Sequence, residues 1–273
     1  MSHGHSKDII GNPFIYTGNN HTSKYRISPS QFGKFVSTHW TWYREAVLGL
    51  DKFEGNTASV IGTCVHLCAE YAALGKPITH DMICAWLDEL PYHVDIDIEE
   101  VKLQYKEPAI VLVNQYVLQH TMLYVEKDLE YSLTDDILVS GQLDRLEGNT
   151  DECMIVDYKS HSSKTEPKYI PQHYKTQLLS YDYLARKNGY NPTRMRLVYV
   201  SREIDDRYIS EKTGKQCGKV HPPKVTVLTE EVTQEDRDFI DGMIELFVDT
   251  IEASEKYPEL KHVIWHDPRL KEK

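Results

Sequence analysis

Two acidic residues and a lysine lie on consecutive short apolar segments in the middle of the chain: Asp144 ends Gly141-Gln-Leu-Asp144, and Asp157 and Lys159 belong to Ile155-Val-Asp157-Tyr-Lys159. Alternate residues of a strand share a face, so Asp157 and Lys159 point the same way, and Asp144 can meet them across a hairpin. Two carboxylates in a partly buried site repel each other, and a divalent cation such as Mg²⁺ or Mn²⁺ relieves that repulsion. A lysine ammonium can orient or deprotonate a water molecule, or neutralise charge that grows on phosphate. These residues therefore predict metal-assisted hydrolysis of a phosphodiester bond.

The same three residues also fit a simpler interpretation, a solvent-exposed hairpin with alternating charges. The local context favours a functional site, because Asp157 follows Met154-Ile-Val156, an apolar run typical of a buried strand. An unpaired aspartate at the end of a buried strand is costly unless it binds a cation or takes part in chemistry.

Further candidates lie on helical segments to either side. His66 and Glu70 are four residues apart, and so are Gln177 and Tyr181, which places each pair on one helix face. Taken alone, a structural histidine and an ordinary amphipathic helix are the expected interpretations. Glu70 and Glu126 are candidate accessory carboxylates, for which solvation on a helix surface is the simpler expectation.

Periodicity and capping signals set the elements that must position these residues. Helices are predicted at about 28–48, 57–74, 80–90, 104–125, 169–187 and 233–254. Short β-like segments are predicted at 129–133, 137–146, 154–159, 195–200 and 225–228. This order predicts an α/β (α+β) fold with a helical region in front of the sheet.

Four short motifs occur in a fixed order along residues 57–185: Gly62-x-x-x-His66, Gly141-Gln-Leu-Asp144, Asp157-Tyr-Lys159 and Gln177-x-x-x-Tyr181. The series resembles the RecB-type branch of the PD-(D/E)xK nuclease superfamily, which includes exonucleases of phages and CRISPR-associated proteins. The resemblance implies a restriction-endonuclease-like core with a central mixed sheet flanked by helices. Gly, Asn and Pro residues predict a flexible N-terminal segment (1–26). The remainder is expected to be a single nuclease domain (27–273), mainly helical over 27–125 and with the sheet core and C-terminal helix over 126–273.

The resemblance also assigns roles to residues. It implies that Asp144, Asp157 and Lys159 are catalytic. It implies a metal held by His66, Asp144, Asp157 and the backbone carbonyl of Tyr158. It implies that Gln177 and Tyr181 hold DNA near the site, and Lys175 on the same segment adds a basic approach.

Many members of that branch carry an iron–sulfur cluster, with one cysteine near the first helix and three near the C-terminus. Here Ser37-Thr-His39 occupies the first position, and Cys217 is the only cysteine in the C-terminal third. We therefore expect Mg²⁺ or Mn²⁺ but no iron–sulfur cluster.

The net charge of −11 argues against a nonspecific nucleic-acid coat, but not against an enzyme whose local field is set by metal ions and by unevenly placed lysines. No signal peptide or membrane-length apolar run occurs, and the cysteine count is odd, so we expect the cytoplasm of a bacterium or of a phage-infected host and no membrane partner.

The predicted function is a DNA exonuclease that leaves 5′-phosphates, with a place in DNA recombination and repair and a helicase or recombination protein as a conceivable partner. Two alternatives remain open at this point. One is a module on a nuclease fold that binds DNA ends or a helicase without cleaving. The other is a nuclease directed at RNA, because a metal and a lysine contact only the phosphate. The sequence leaves the oligomeric state open.

Overall fold

The computed structural model describes residues 23–50 and 55–266, and this part of the chain forms ten strands. In chain order they are β1 (Tyr25–Ile27), β2 (Tyr124–Ser132), β3 (Ile137–Gly148), β4 (Cys153–His161), β5 (Pro192–Ser201), β6 (Ile204–Asp205), β7 (Tyr208–Ile209), β8 (Gln216–Cys217), β9 (Val220–His221) and β10 (Val225–Glu231). The helices are α1 (Pro29–Ala46), α2 (Thr57–Ala73), α3 (His80–Asp88), α4 (Ile98–Gln104), α5 (Lys106–Gln115), α6 (Gln172–Lys187), α7 (Gln234–Lys256) and α8 (Lys261–Ile264), with 3₁₀ turns at Val117–Gln119 and Pro258–Leu260.

A mixed six-stranded sheet forms the centre of the fold, with strand order β1–β3–β4–β5–β10 and β2 paired to β3 off this path. β4 and β5 are parallel, as are β1 and β3, whereas the remaining pairs are antiparallel. Helices cover both faces of the sheet, so the predicted α/β (α+β) class with a mixed sheet flanked by helices is confirmed.

Each face of the sheet has its own apolar core. On one face α1, α6 and α7 pack through side chains such as Phe32, Leu178 and Phe247. On the other face α2, α4 and α5 pack through side chains such as Val65, Val101 and Leu112. β4 supplies residues to both cores in alternation, with Ile155 in the first and Val156 in the second. The side chains of β4 therefore pack into apolar cores on both faces of the sheet. A charged side chain on β4 is accommodated only near the end of the strand, where these cores end.

Local sequence explains where three helices near the site begin. Asn56 caps α2, and its side chain accepts the Ser59 backbone N–H at 2.9 Å. α6 begins after Pro171, and α1 has Pro29 in its first turn, where the missing N–H costs nothing. None of the helices that the described residues form combines the length and the apolarity that a membrane span requires.

The predicted helix at 104–125 is wrong over its second half. Helix α5 ends at Gln115, a 3₁₀ turn follows, and the chain enters β2 at Tyr124. The apolar residues of this stretch fit both a helical and a strand period. From Tyr124 onward the chain is a strand, because Tyr124 pairs with Leu146 on β3. Helix α4, capped by Asp97, was not predicted.

Strand β3 divides the sheet at the point where the site lies. β2 occupies one edge of β3 along 138–146. On the other edge β3 pairs with β1 through 137–139 and with β4 only through 145–148. Between these two ladders the edge of β3 opens into a fork, which ends at Asp144.

The structure differs from the sequence-based prediction in two regions, the start of the first strand and the segment between β5 and β10. The predicted flexible segment 1–26 lies outside the described residues up to position 22, and Tyr25 and Arg26 belong to β1. The segment between β5 and β10 contains four two-residue strands, which pair as β6 with β9 and β7 with β8. The assignment of 27–273 to one nuclease domain, with parts 27–125 and 126–273, stays a prediction.

Candidate active site

Asp144 lies at the base of the fork between β3 and β4. The β3–β4 ladder pairs Arg145 with Val156 and stops there. The next position along β3 is Asp144, and its Oδ2 accepts the backbone N–H of Tyr158 at 2.7 Å. A carboxylate thus replaces the ladder carbonyl, which holds the acidic group at the opening of the fork.

Asp157 and Lys159 point the same way from β4, as the alternation of strand residues predicts. The Lys159 Nζ lies 2.6 Å from Asp157 Oδ2. Asp157 is 2% exposed, and the Gln177 side-chain amide on α6 donates to its Oδ1 at 3.1 Å. The carboxylate is therefore fixed from both sides, by a cation and by an amide.

His66 reaches the same place from α2, on the other side of the sheet. Its Nδ1 lies 3.4 Å from Asp144 Oδ2, and its ring meets the Tyr158 ring edge-on at 5.8 Å. Gly62, one turn earlier, lies against β4: a Cβ there would be 3.3 Å from Ser160 Oγ. A residue without a side chain at 62 lets α2 approach closely enough for His66 to reach Asp144.

Glu126 joins this group, although the sequence favoured a solvated position for it. One ligand atom each of His66, Glu126 and Asp144 lies within 4.8 Å of the others, an arrangement that could hold a metal ion. Glu126 faces Asp144 across the β2–β3 pair, where the register of Val125 with Arg145 and of Lys127 with Leu143 skips it. Its φ of 48° is unusual for a residue with a side chain and marks a local distortion of β2. A sequence-based prediction that started β2 at Tyr124 would have placed Glu126 opposite Asp144.

The electrostatics of the site are strongly coupled. Burial raises the pKa of Asp157 to about 6, although Lys159 acts in the opposite direction. Desolvation also disfavours the charged form of Asp144, but His66, Lys159 and the Tyr158 N–H together outweigh it and lower the pKa of Asp144. Desolvation favours neutral Lys159, but Asp157 and Asp144 outweigh it and raise the pKa of Lys159. By the same balance, with Asp144 as the dominant partner, the pKa of His66 is raised.

A cleft of about 450 Å³ opens in front of these groups, and its lining includes His66, Glu126, Asp144, Lys159 and Ser160. The carboxylates of Glu126 and Asp144 lie here beside His66 and Lys159, whereas the buried Asp157 carboxylate, paired with Lys159, belongs neither to the lining nor to the described group with metal-ligand spacing. Such an excess of buried negative charge and oxygen ligands fits a divalent cation of the Mg²⁺ or Mn²⁺ type. Glu70 is not part of the group that could hold a metal among the described residues.

The residues predicted to hold DNA make internal contacts. The Tyr181 hydroxyl donates to the Gln142 carbonyl at 2.5 Å, and Tyr181 is 6% exposed. Lys175 Nζ lies 3.2 Å from Glu230 and 3.0 Å from Asp236, so its charge is already paired. Gln177 contacts Asp157, as described above. Their roles in substrate binding stay predictions, as do the catalytic and metal-binding roles of the other residues.

Gly141 explains how α1 and α6 fit over the fork. A Cβ at this position would lie 2.6 Å from Pro29 Cδ and 3.3 Å from Tyr181 Cε1. The glycine therefore allows the first turn of α1 and the Tyr181 ring to pack directly on β3, next to the Gln142 carbonyl that Tyr181 contacts.

Comparisons with solved structures find the same fold elsewhere. A protein from Eubacterium rectale, provisionally described as an exonuclease, superposes with a TM-score of 0.52 at 16% identity, over 87% of this chain and 85% of its own. LHK-Exo in complex with dAMP aligns with a TM-score of 0.35 at 12% identity, over 74% of this chain and 95% of its own. At 16% identity, the similarity to the first of these proteins concerns the fold alone.

A comparison with curated protein sequences finds no match. A sequence model of one family, however, matches residues 26–261, which span nearly all of the described elements and every residue of the site. The matched residues contain β3 and β4, which carry Asp144 and Asp157. The chain belongs to the PD-(D/E)XK nuclease superfamily.

Proposed function

We propose that this nuclease is a metal-dependent deoxyribonuclease that degrades DNA from strand ends and leaves 5′-phosphates. The meeting of Asp144 with the Asp157–Lys159 pair, with Asp144 and Lys159 in the lining of one cleft, is the single observation that carries the proposal. Three charged side chains from two adjacent strands come together where the β3–β4 ladder ends. A purely structural arrangement would leave this buried charge without a purpose, at a cost in stability.

Each residue has a role that follows from its contacts. A divalent metal, when bound, supplies Lewis-acid stabilisation of the charge that develops on the phosphate. His66, Asp144, Asp157 and the Tyr158 carbonyl would hold it, as the resemblance implies, and Glu126 is a further ligand that fits. Lys159 orients the attacking water and places positive charge beside the phosphate, since Asp157 and Asp144 keep it protonated.

Gln177 acts as a positioning residue in this proposal. Its amide holds Asp157 Oδ1, which leaves Oδ2 for Lys159 and turns the carboxylate toward the cleft. Tyr181 similarly fixes the β3 backbone at Gln142, beside Asp144. Both residues would thus support the site from α6, in addition to any contact with DNA.

The test is digestion of end-labelled linear DNA with Mg²⁺ or Mn²⁺, compared with covalently closed circular DNA and with a matched RNA. Asp157→Asn and Lys159→Met remove one charge each with little change in volume. Asp128→Asn and Lys168→Met make the same changes on exposed side chains and serve as controls. We expect the linear DNA alone to be degraded, mononucleotide 5′-phosphates to accumulate, and both site variants to be inactive.

Variants at 157 and 159 that digest DNA as fast as the wild type would remove the site assignment. Cleavage of circular DNA would replace the exonuclease by an endonuclease, and preferential cleavage of RNA would change the substrate. Metal-independent binding of DNA ends without hydrolysis would instead favour a non-cleaving module.

A further inference from the structure

The chain between β5 and β10 forms an arm, residues 202–224, that begins beside the candidate active site. β4 and β5 are parallel and stay in register from Asp157 with Leu197 to His161 with Ser201. The arm starts at Arg202, whose backbone N–H donates to the His161 carbonyl at 2.8 Å. Since a strand rises about 3.3 Å per residue, the arm begins roughly 10 Å past Lys159. A strand that continues from a phosphate at Lys159 in this direction therefore reaches the arm within a few nucleotides.

Short ladders and one glycine give the arm a fixed shape. β6 pairs with β9 and β7 with β8, both antiparallel. Gly218 has a φ of 75° and lies directly against the Asp206 carbonyl, where a side chain could not fit. The arm is also tied to the loop that follows β4, because Lys164 pairs with Asp206 and Lys224 pairs with Glu166.

The acidic groups nearest the ladders are already occupied within the protein. Asp205 pairs with Arg207 at 2.5 Å. The Asp206 carboxylate accepts the Lys219 backbone N–H at 2.6 Å and lies 3.3 Å from His221 Nε2. These contacts leave less negative charge to oppose an anionic ligand at the arm's surface.

Three lysine side chains, Lys212, Lys215 and Lys219, are exposed on the outer half of the arm. No carboxylate of the described residues lies within ion-pair distance of them. The arm as a whole has six lysines and arginines against four acidic residues, Glu203 and Glu211 included, in a chain of net charge −11. A local positive surface on an acidic protein attracts a polyanion to one place instead of coating the whole molecule.

An aromatic and an aliphatic side chain accompany these lysines. Tyr208 and Ile209, the two residues of β7, are 61% and 64% exposed. Proteins that bind single-stranded nucleic acids combine cations with exposed aromatic rings, since the phosphates pair with the cations and the bases stack on the rings. A surface meant for a protein partner would more often have fewer lysines at its centre.

We propose that the arm binds the single-stranded segment of nucleic acid that continues beyond the phosphate held at Lys159. Lys212, Lys215 and Lys219 contact its backbone, and Tyr208 stacks on one of its bases. The inference rests on the proposed function, because it takes the substrate strand to pass through the cleft at Lys159.

Binding of a labelled single-stranded oligonucleotide of about 20 nucleotides, measured by fluorescence anisotropy in EDTA, tests the arm without any need for catalysis. The triple variant Lys212→Gln/Lys215→Gln/Lys219→Gln is compared with Lys76→Gln/Lys187→Gln/Lys256→Gln, which removes the same charge from the ends of other helices. For single strands we expect the arm variant alone to raise Kd by about tenfold or more and to reduce the slope of log Kd against log salt by about 2. Tyr208→Ala should weaken binding by about fivefold or more.

Hydrolysis of a labelled trinucleotide, too short to reach the outer arm, should be the same in the wild type and in both triple variants. Unchanged Kd and slope in the arm variant, or equal losses in both triple variants, would overturn the proposal. A wild type that binds the longer strand through the arm but never hydrolyses it with Mg²⁺ or Mn²⁺ would refute the proposed function and leave the arm's role supported. If the wild type hydrolyses DNA and the arm variant binds the strand as tightly as the wild type, the arm's role is refuted and the proposed function remains supported.

Discussion

The Asp144 carboxylate accepts the backbone N–H of Tyr158 at 2.7 Å, in the position where the β3–β4 ladder would place a carbonyl. One carboxylate oxygen therefore has a structural task at the fork, and the same group lies 3.4 Å from His66 Nδ1. Asp144 therefore has a structural role at the fork and a proposed role in metal binding, and substitutions can separate the two roles.

Asparagine and alanine at position 144 should behave differently. In Asp144→Asn the amide oxygen of the new side chain can still accept the Tyr158 N–H, whereas Asp144→Ala leaves that N–H unsatisfied, at a cost of about 1–3 kcal/mol. Both variants should lose at least about 10²-fold in nuclease activity, because the charge is gone in both. Urea unfolding of the metal-free proteins checks the difference. Equal stability of the two variants would show that the Tyr158 contact contributes little.

Metal affinity should depend on pH through Asp157. Its pKa is raised to about 6 by burial, so the carboxyl is protonated below that pH and ionised above it. A metal must displace this proton, so the Asp157 carboxyl alone makes Mn²⁺ affinity rise by about tenfold per pH unit below pH 6. The pKa of His66 is raised above its usual value and its proton must also leave, so His66 steepens this rise and extends it above pH 6.

Calorimetric titration of Mn²⁺ between about pH 5 and pH 8 measures this dependence. His66→Gln should retain the part due to Asp157, and Asp157→Asn should remove that part. An Mn²⁺ affinity that is the same at both ends of the range would contradict the pKa assignment.

Glu126 should contribute to metal binding despite its position on β2. Glu126→Gln removes one charge from the group of three ligands that lie within 4.8 Å of one another. We expect Mn²⁺ affinity to fall by about tenfold or more, since carboxylate oxygens are the preferred ligands of such ions. Glu130→Gln makes the same change on an exposed residue of the same strand and should have no effect. Identical affinities in the two variants would remove Glu126 from the metal site.

The parts of the site that sequence could predict are those that depend on local geometry. Strand alternation alone placed Asp157 and Lys159 on one face, and the apolar run before Asp157 indicated its burial. The contact of His66 with Asp144 is tertiary, and only the order of motifs pointed to it. Glu126 was named only as a candidate accessory carboxylate, with a solvated helix surface as the simpler expectation, because residues 116–125 fit a helical period and no local signal in a glutamate predicts a φ of 48°. The arm's strands, each of two residues, are too short for any pattern to reveal.

Two glycines should respond to alanine in opposite ways. Gly141→Ala would place its Cβ 2.6 Å from Pro29 Cδ, so α1 must move away from β3. We expect a loss of about 1–3 kcal/mol in the free energy of unfolding and reduced activity, because Tyr181 packs on the same spot. Gly242 in α7 has open space around it, and Gly242→Ala should stabilise the protein by about 0.5–1 kcal/mol. Thermal unfolding of both variants tests this, and a Gly141→Ala protein as stable as the wild type would show that α1 adapts freely.

Breaking the buried Arg145–Glu147 pair by changing one partner should lower the free energy of unfolding more than replacing both partners with apolar residues. Arg145 and Glu147 are 1% and 6% exposed, and Arg145 Nε lies 2.8 Å from Glu147 Oε1. The Tyr116 hydroxyl donates to the same oxygen at 3.0 Å, and Arg196 lies 3.4 Å from the other, so Glu147 joins the sheet to the chain that follows α5. Glu147→Gln leaves two guanidinium groups without their carboxylate, and we expect a loss of about 3–5 kcal/mol in the free energy of unfolding.

The double variant Arg145→Met/Glu147→Leu should recover part of this loss, because an apolar pair replaces the buried ion pair while Arg196 still lacks its carboxylate. Asp205→Asn breaks the exposed pair with Arg207 and should leave the unfolding midpoint in urea unchanged. If Glu147→Gln unfolds at the same urea concentration as the wild type, the neutral amide meets the needs of Arg145 and Arg196, and the charge of Glu147 is not what joins the sheet to the chain after α5.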